Sequence, residues 1–149
     1  MYLFDTDTLS NVVKRKPSGR LLQKLEETPI AFQHTSAINV GEIYYGASRS
    51  SRKAHILKVF KEMVFPNVNI LPFDRQSGQI FGILKADLAK RGIGCSEPDL
   101  RIAAVAIQHS LILNTGNSRH YKNIPGMKKF SIFLKAETIG RQPAFIHRN

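Results

Sequence analysis

Short apolar runs alternate along the chain with longer segments in which apolar residues recur every three or four positions. The runs predict buried strands, and the recurring pattern predicts helices with one face on a core. The predicted strands span residues 2–4, 30–34, 68–71, 111–114 and 130–134. The predicted helices span residues 8–14, 18–27, 52–65, 76–90 and 96–109, with one more that begins at Ser36 or Asn39 and contains residues 42–45.

The order of these elements predicts an α/β fold. Because unbroken apolar strands alternate with helices, we expect a mostly parallel central sheet of four to five strands, covered by helices on both faces in a three-layer α/β/α domain. The chain shows no internal repeat, linker or low-complexity segment. One domain is therefore expected over residues 1–135, and residues 136–149 are expected to form a tail without a domain of their own.

Composition narrows the class of protein. The chain has 149 residues, of which 42% are apolar, and this excludes a fibrous or wholly disordered protein. Its single cysteine, Cys95, excludes an internal disulfide and a cysteine-based zinc site, and fits a reducing compartment. The longest apolar run, residues 102–107, is too short for a membrane span, and residues 1–10 lack the basic residues of a signal peptide. We expect a cytoplasmic protein without a membrane partner.

The net charge is strongly positive. Lys and Arg number 22 against 11 Asp and Glu, which gives a formal charge of +11. Such a charge attracts polyanions, and nucleic acid is the obvious one. The alternative is that the basic residues only form solvated helix faces. Charge alone therefore suggests a partner without indicating a reaction.

The acidic residues are more informative. Most have a basic neighbour at helical spacing or next in sequence. The pairs predicted in this way are Lys24–Glu27, Lys58–Glu62, Asp74–Arg75, Asp87–Arg91, Glu97–Arg101 and Glu137–Arg141. Among the acids without such a partner, four stand out: Asp5, Asp7, Glu42 and Asp99. They fall at strand ends and in first helical turns, where α/β folds place their active sites.

Helix capping is the structural alternative for three of these acids. Asp7 is suited to be the N-cap of the helix at 8–14. Glu42 is the third residue after Asn39, and Asp99 the third after Ser96, which are both capping-box spacings. Asp5 has no such explanation, because it ends a buried strand, where an unpaired carboxylate is costly.

Carboxylates that converge without histidine or cysteine suit a hard divalent cation, Mg²⁺ or Mn²⁺. Such an ion offsets the repulsion between the acids, bridges phosphate oxygens and lowers the pKa of a bound water until it can attack as hydroxide. Acids surrounded by Lys and Arg are the charge arrangement of a phosphodiester hydrolase. The residues thus point to metal-dependent hydrolysis of a nucleic acid.

Five segments in the same order resemble the PIN-domain ribonucleases, specifically the VapC-type toxins of prokaryotic toxin–antitoxin pairs. The first two are Leu-Phe-Asp-Thr-Asp at 3–7 and Val-Gly-Glu-Ile-Tyr-Tyr-Gly-Ala at 40–47. The others are Leu-Pro-Phe-Asp at 71–74, the segment 93–104 with Pro-Asp-Leu at its centre, and the segment 113–126 with Leu-Asn-Thr-Gly-Asn at its start. The resemblance covers residues 1–127.

The resemblance implies an Mg²⁺- or Mn²⁺-dependent endoribonuclease that forms homodimers and is inhibited by a small antitoxin. By position, Asp5, Glu42 and Asp99 match the metal-binding and catalytic acids. Asn117 is also expected to be catalytic, although many members have a fourth Asp at its position. The supporting residues are Asp7 and Thr115.

Contacts with RNA and antitoxin are expected from the basic residues. The predicted RNA contacts are Lys14, Arg15, Arg49, Arg119 and Lys122. The antitoxin or a second copy of the chain is expected to contact residues 11–20 and 43–60. His120 is expected to contact a phosphate or lie on the surface, since a metal-activated water needs no further base.

Two alternatives remain open. Because Asn117 carries no charge, the chain could be a PIN-like module that binds RNA or protein without cutting. Asp5-Thr6-Asp7-Thr8-Leu9 also resembles the Asp-x-Asp signature of haloacid-dehalogenase-type phosphatases. That family has Thr or Val at the position of Leu9 and a pair of acids late in the chain, and no adjacent acidic pair follows residue 90.

Overall fold

Five parallel strands form the centre of the molecule in the computed structural model, which describes residues 1–130. The strands are β1 (Tyr2–Phe4), β2 (Gln33–Ser36), β3 (Asn69–Leu71), β4 (Ile112–Asn114) and β5 (Lys128–Phe130). Their order across the sheet is β3-β2-β1-β4-β5, and all four neighbouring pairs are parallel. The predicted parallel sheet is confirmed.

Helices cover both faces of this sheet. They are α1 (Thr6–Val12), α2 (Gly19–Glu27), α3 (Ala37–Ser48), α4 (Lys53–Val59), α5 (Arg75–Lys90) and α6 (Glu97–Gln108). Leu3 packs in an apolar cluster with residues of α5 and α6, whereas its neighbour Phe4 packs in a second cluster with residues of α1 and α3. Successive residues of a strand face opposite sides of a sheet, so these two clusters lie on opposite faces. The three-layer α/β/α fold is confirmed.

The second strand begins later than the hydrophobic pattern predicts. Residues Ile30–Phe32 form a 3₁₀ turn, and the strand is the polar segment that follows. Pro29 fixes the start of this turn, since its carbonyl accepts a hydrogen bond from the Phe32 N–H at 2.8 Å. Ile30 and Phe32 are consequently 51% and 48% exposed, while the polar residue Gln33 is buried.

Two other boundaries also differ. The single helix predicted at 52–65 is the α-helix α4, followed by a π-helical turn, Phe60–Val64, and a 3₁₀ turn, Phe65–Asn67. Pro66 lacks the N–H that a continuing helix would use. The last strand begins at Lys128 instead of residue 130, and residues 131–134 and the predicted tail lie outside the described residues. Within residues 1–130, no helix is long and apolar enough to span a bilayer.

The topology places a crevice between two particular strands. From β1 the chain first builds β2 and β3 on one side, and it then returns to build β4 and β5 on the other. The direction in which successive strands are added therefore reverses between β1 and β4. In parallel α/β sheets, ligands bind outside the carboxyl ends of the strands at such a point. Asp5 directly follows β1, and Thr115 directly follows β4.

Candidate active site

Asp5 both begins α1 and faces the crevice. It is 4% exposed, and its Oδ1 accepts a hydrogen bond from the Thr8 N–H at 2.8 Å, which makes it the N-cap of α1. Burial raises the pKa of this carboxyl group; hydrogen bonds from Thr115 and Thr8 lower it in part, and the charge of Asp7 raises it further. Asp5 thus carries the capping role that the sequence assigns to Asp7.

Asp7 is exposed in the first turn of α1, and the prediction that it caps this helix is wrong. The reason is the absence of a loop after β1: the strand ends at Phe4, and the helix already begins at Thr6. Only Asp5 is then in the extended backbone conformation of an N-cap. The Asp7 side chain is left without a capping role.

Glu42 lies in the second turn of α3 and is half-buried. The Thr6 hydroxyl donates a hydrogen bond to its Oε2, and the Asn39 amide donates to the Thr6 oxygen at 3.1 Å. Burial raises the pKa of Glu42; the hydrogen bond from Thr6 opposes this, and the charges of Asp99 and Asp7 add to it. Since Asn39 forms the capping box of α3 with Ser36, the capping hypothesis for Glu42 is wrong.

Asp99 lies in the first turn of α6, where the Ser96 side chain caps the helix but the expected capping box with Asp99 is not formed. Its N–H donates to the hydroxyl of the N-cap residue Ser96 at 3.2 Å. Its carboxylate accepts from the Tyr121 hydroxyl at 3.1 Å, and the other oxygen lies 3.1 Å from His120 Nδ1. These contacts come from the segment after β4, so capping does not account for the carboxylate's full environment.

A chain of hydrogen bonds joins Asp5 to Asp99. The buried Thr115 hydroxyl bonds to Asp5 and also accepts the Asn117 N–H at 2.9 Å. The Asn117 Nδ2 lies 2.8 Å from His120 Nε2, and the opposite ring nitrogen faces Asp99. If the Asn117 amide donates to Nε2, the hydrogen on Nδ1 points at Asp99. Thr115 and Asn117 therefore position the two acids.

One cavity of about 290 Å³ brings the predicted site together. It is lined by Asp5, Thr6, Asp7, Glu42, Ser96, Asp99, Asn117, His120 and Tyr121. We call it the carboxylate pocket. Four acids line it, and none of the described Lys or Arg side chains does, in a chain with a net charge of +11. Thr115 supports the pocket from behind, and Thr6 and Tyr121 are contributors that the sequence does not single out.

The carboxylate pocket fits a divalent cation by its chemistry. Its donors are carboxylate, hydroxyl and amide oxygens, with one imidazole already engaged by Asn117 and Asp99. The charges of Asp7 and Asp99 raise the pKa of Glu42, so the acids repel one another across the cavity. No three His, Cys, Asp or Glu side chains within residues 1–130 are close enough to enclose an ion. The acids therefore share a pocket without forming a closed ligand set.

The predicted RNA contacts fall into three groups. Lys14 and Arg15 line a groove of about 680 Å³ between α1, α3 and α4. Arg119 and Lys122 line a smaller cavity of about 280 Å³. Arg49 lines neither of these cavities nor the carboxylate pocket; it lies over the Tyr45 ring at 5.4 Å and donates to the Tyr45 hydroxyl at 3.0 Å.

The groove also contains basic residues that the sequence does not indicate as RNA contacts. Arg52 and His55 line it beside Lys14 and Arg15. His55 is an isolated residue in an exposed helix, so only the packing of α4 against α3 shows its position. Arg52 lies in a basic stretch with Arg49 and Lys53. The spacing of these residues does not show which of them faces the groove.

Comparison with known proteins gives consistent matches. The family model described as PIN domain matches residues 2–125. Ribonuclease VapC2 of Haemophilus influenzae is 30% identical over 127 residues, covering 85% of this chain and 94% of that protein. The tRNA(fMet)-specific endonuclease VapC of Salmonella typhimurium is 27% identical with the same coverage.

Solved structures show the same fold. The DNA-bound VapBC structure from Salmonella typhimurium matches with a TM-score of 0.81 at 26% identity, covering 88% of this chain and 97% of that one. The VapBC2 structure from Rickettsia felis, bound to a promoter DNA fragment, has the same TM-score at 24% identity, covering 87% and 97%. The second likeness concerns the fold alone.

Proposed function

The chain belongs to the PIN domain family as a VapC-type ribonuclease, and on that premise we propose that it hydrolyses RNA phosphodiester bonds in the carboxylate pocket with Mg²⁺ or Mn²⁺. The observation that carries the proposal is the composition of that pocket, with four acids and no Lys or Arg among its described lining residues. Although the chain has twice as many Lys and Arg as Asp and Glu, none of those within residues 1–130 lines this pocket, which favours binding of a cation. Asp5, Glu42 and Asp99 would hold it together with water molecules, since these acids alone do not enclose an ion.

The bound cation would neutralise the acids and the phosphate and would make a water more acidic. The protein's own residues fix the acids in place. Thr115 and the Thr8 N–H hold Asp5, Thr6 holds Glu42, and Tyr121 holds Asp99. Hydrogen bonds to a carboxylate favour its charged form, which is the form that binds a cation.

Asn117 has a positioning role in this proposal. Its amide hydrogen-bonds to His120 and its backbone N–H to Thr115, so it links two of the three proposed ligand acids. An amide at this position adds no negative charge to the pocket. The site therefore relies on the other acids for the charge that attracts a cation.

The direct test is cleavage of total RNA by the purified full-length chain, with Mg²⁺ or with EDTA. We expect discrete fragments with Mg²⁺ only. Asp99→Asn should abolish them, while Asp87→Asn, which removes an equal charge from α5, should not. Intact RNA with folded wild-type protein and Mg²⁺ would refute the nuclease.

We also propose that an antitoxin binds this chain. The structural relatives include VapBC of Salmonella typhimurium, FitAB and a toxin–antitoxin complex from Klebsiella pneumoniae. The groove between α1, α3 and α4 is lined largely by residues from the two ranges expected to contact an antitoxin, 11–20 and 43–60, and it reaches Thr6 and Glu42. An acidic segment seated there would complement Lys14, Arg15 and Arg52 and block the carboxylate pocket. Arg15→Glu should weaken the binding of a copurifying antitoxin to this chain, whereas Arg75→Glu on α5 should leave that binding unchanged.

One observation favours a second candidate, a PIN-like module that binds without cutting: the described acids do not enclose an ion. RNA binding that is unaffected by Mg²⁺, together with absent cleavage, would establish it. The family match disfavours the haloacid-dehalogenase-type phosphatase. Release of phosphate from a small phosphoester would be the sign of that activity.

A further inference from the structure

The carboxylate pocket shares lining residues with two other cavities. On one side it shares Thr6 and Glu42 with the large groove. On the other side it shares Ser96, Asp99 and His120 with the cavity of about 280 Å³, which we call the side pocket. The three cavities therefore adjoin in the order groove, carboxylate pocket, side pocket.

The side pocket has the opposite charge to its neighbour. Arg119 and Lys122 line it with the neutral residue Asn123, and its only acid among residues 1–130, Asp99, is shared with the carboxylate pocket. Both basic side chains are exposed, and neither has an ion-pair partner within residues 1–130. The two charges are thus available to an anion.

The backbone fixes these two cations relative to the acids. Arg119 lies in the 3₁₀ turn Ser118–Tyr121, and Lys122 is the residue that ends it. Residues three apart lie above one another in such a turn, so both side chains leave from the same side. Tyr121, 2% exposed, anchors the turn and donates to Asp99. The turn that holds a proposed ligand acid therefore also carries the cations beside it.

Electrostatics requires cations at such a position. Four carboxylates repel a polyanion at the point of cleavage, so the affinity for RNA must come from phosphates on either side. The groove supplies Lys14, Arg15 and Arg52 on one side. The side pocket supplies Arg119 and Lys122 on the other.

Resting on the proposed nuclease function, we propose that a single RNA strand crosses the carboxylate pocket from the groove to the side pocket, and that Arg119 and Lys122 bind the phosphate next to the one that is cleaved. The ligand class is the phosphodiester of single-stranded RNA. The two residues bind substrate and take no part in bond cleavage.

The first test is binding of an oligouridylate to the full-length Asp5→Asn variant, whose side pocket is intact. Adding Arg119→Ala and Lys122→Ala should weaken binding about tenfold and reduce the slope of log affinity against log salt by about 0.7, the value for one phosphate of a single strand. The control pair Arg75→Ala and Lys90→Ala removes the same charge from α5. Equal affinities and slopes for the two pairs would overturn the proposal.

The second test locates the phosphate. In an oligonucleotide carrying the mapped cleavage site, each phosphodiester is replaced in turn by a neutral methylphosphonate. One replacement beside the cleaved bond should weaken binding to Asp5→Asn but not to the variant that also lacks Arg119 and Lys122. If every replacement weakens binding to both proteins equally, the side pocket does not bind the strand.

The two proposals fail in different ways. If wild-type protein cuts no RNA, the nuclease assignment fails, and the oligouridylate test alone decides whether the side pocket binds phosphate. If wild type cuts RNA and loss of Arg119 and Lys122 leaves KM unchanged, the side-pocket proposal fails and the nuclease stands. A raised KM with kcat unchanged supports both.

Discussion

Two sets of carboxylates in this protein have opposite environments. On the outer face of α5 and α6, Asp87 pairs with Arg91 at 2.9 Å, and Glu97 pairs with Lys85 at 3.3 Å and with Arg101. In the carboxylate pocket, Asp5 and Glu42 have hydroxyl and backbone donors and no described cation. The neighbouring cations lower the pKa of Glu97, whereas burial raises the pKa of Asp5 and Glu42. Within residues 1–130, these two helix-surface acids are thus paired with Lys or Arg, whereas Asp5 and Glu42 are not.

The largest expected effect separates the two sets by activity. Glu42→Gln keeps an acceptor for Thr6, and Asp5→Asn keeps a good N-cap, so both should fold. Each should nevertheless lower RNA cleavage by about 100-fold or more, because a cation in such a site is worth several kcal/mol. Initial rates on one RNA at saturating Mg²⁺ measure this. Cleavage by Glu42→Gln at the wild-type rate would remove Glu42 from the site.

A smaller effect is expected where a hydrogen bond to an acid is removed. Tyr121→Phe keeps the buried ring but removes the hydroxyl that donates to Asp99. Loss of a group that orients a ligand acid should weaken Mn²⁺ affinity and cleavage by about tenfold. Tyr44→Phe, at an exposed ring on α3, is the matched control. Equal cleavage by the two variants would show that Tyr121 only packs.

The raised pKa values of Asp5 and Glu42 predict how the stability of the fold depends on pH. Raised pKa values mean that the fold favours the protonated acids, so their stabilising contribution is present below the unfolded pKa values, near 3.8 and 4.5. It is lost as the pH rises through the higher folded values. In EDTA, Glu42→Gln should therefore have a higher Tm than wild type at pH 7, and the difference should shrink towards pH 4. A lower Tm for this variant at pH 7 would contradict the pKa direction.

The smallest effect is expected on the outer face. Asp87→Asn removes one exposed ion pair with Arg91 along α5. Pairs of this spacing contribute about 0.3–0.5 kcal/mol to the free energy of unfolding. Urea denaturation should show a loss of that size, and cleavage should be unchanged. A loss of activity would mean that α5 contributes to the site.

Much of the fold follows from the hydrophobic pattern, and the predictions from that pattern that were wrong have physical causes. Strands β1 and β4 are apolar runs and lie where the pattern predicts them. Strand β2 is polar, and its buried Gln33 is satisfied by its side chain, which donates to the carbonyls of Leu25 and Thr28. A pattern of apolar residues cannot show a buried polar strand of this kind.

The candidate site was predictable as a set of acids but not as an arrangement. Asp5, Asp7, Glu42 and Asp99 all line one pocket, because strand ends converge at the edge of a parallel sheet. Which acid caps α1 depends on the length of the connection after β1. The sequence assigned the capping role to Asp7, whereas Asp5 has it in the structure. The role of Tyr121 depends on a contact with Asp99, 22 residues earlier, which local spacing does not reveal.

The central claim is that the uncompensated acids of the crevice bind a divalent cation. Direct titration of the full-length protein with Mn²⁺, followed by electron paramagnetic resonance, tests it without reference to activity. We predict saturable binding by wild type and by Asp87→Asn, and its loss in folded Asp99→Asn. Absence of binding to folded wild type, or equal binding by Asp99→Asn, would contradict the claim.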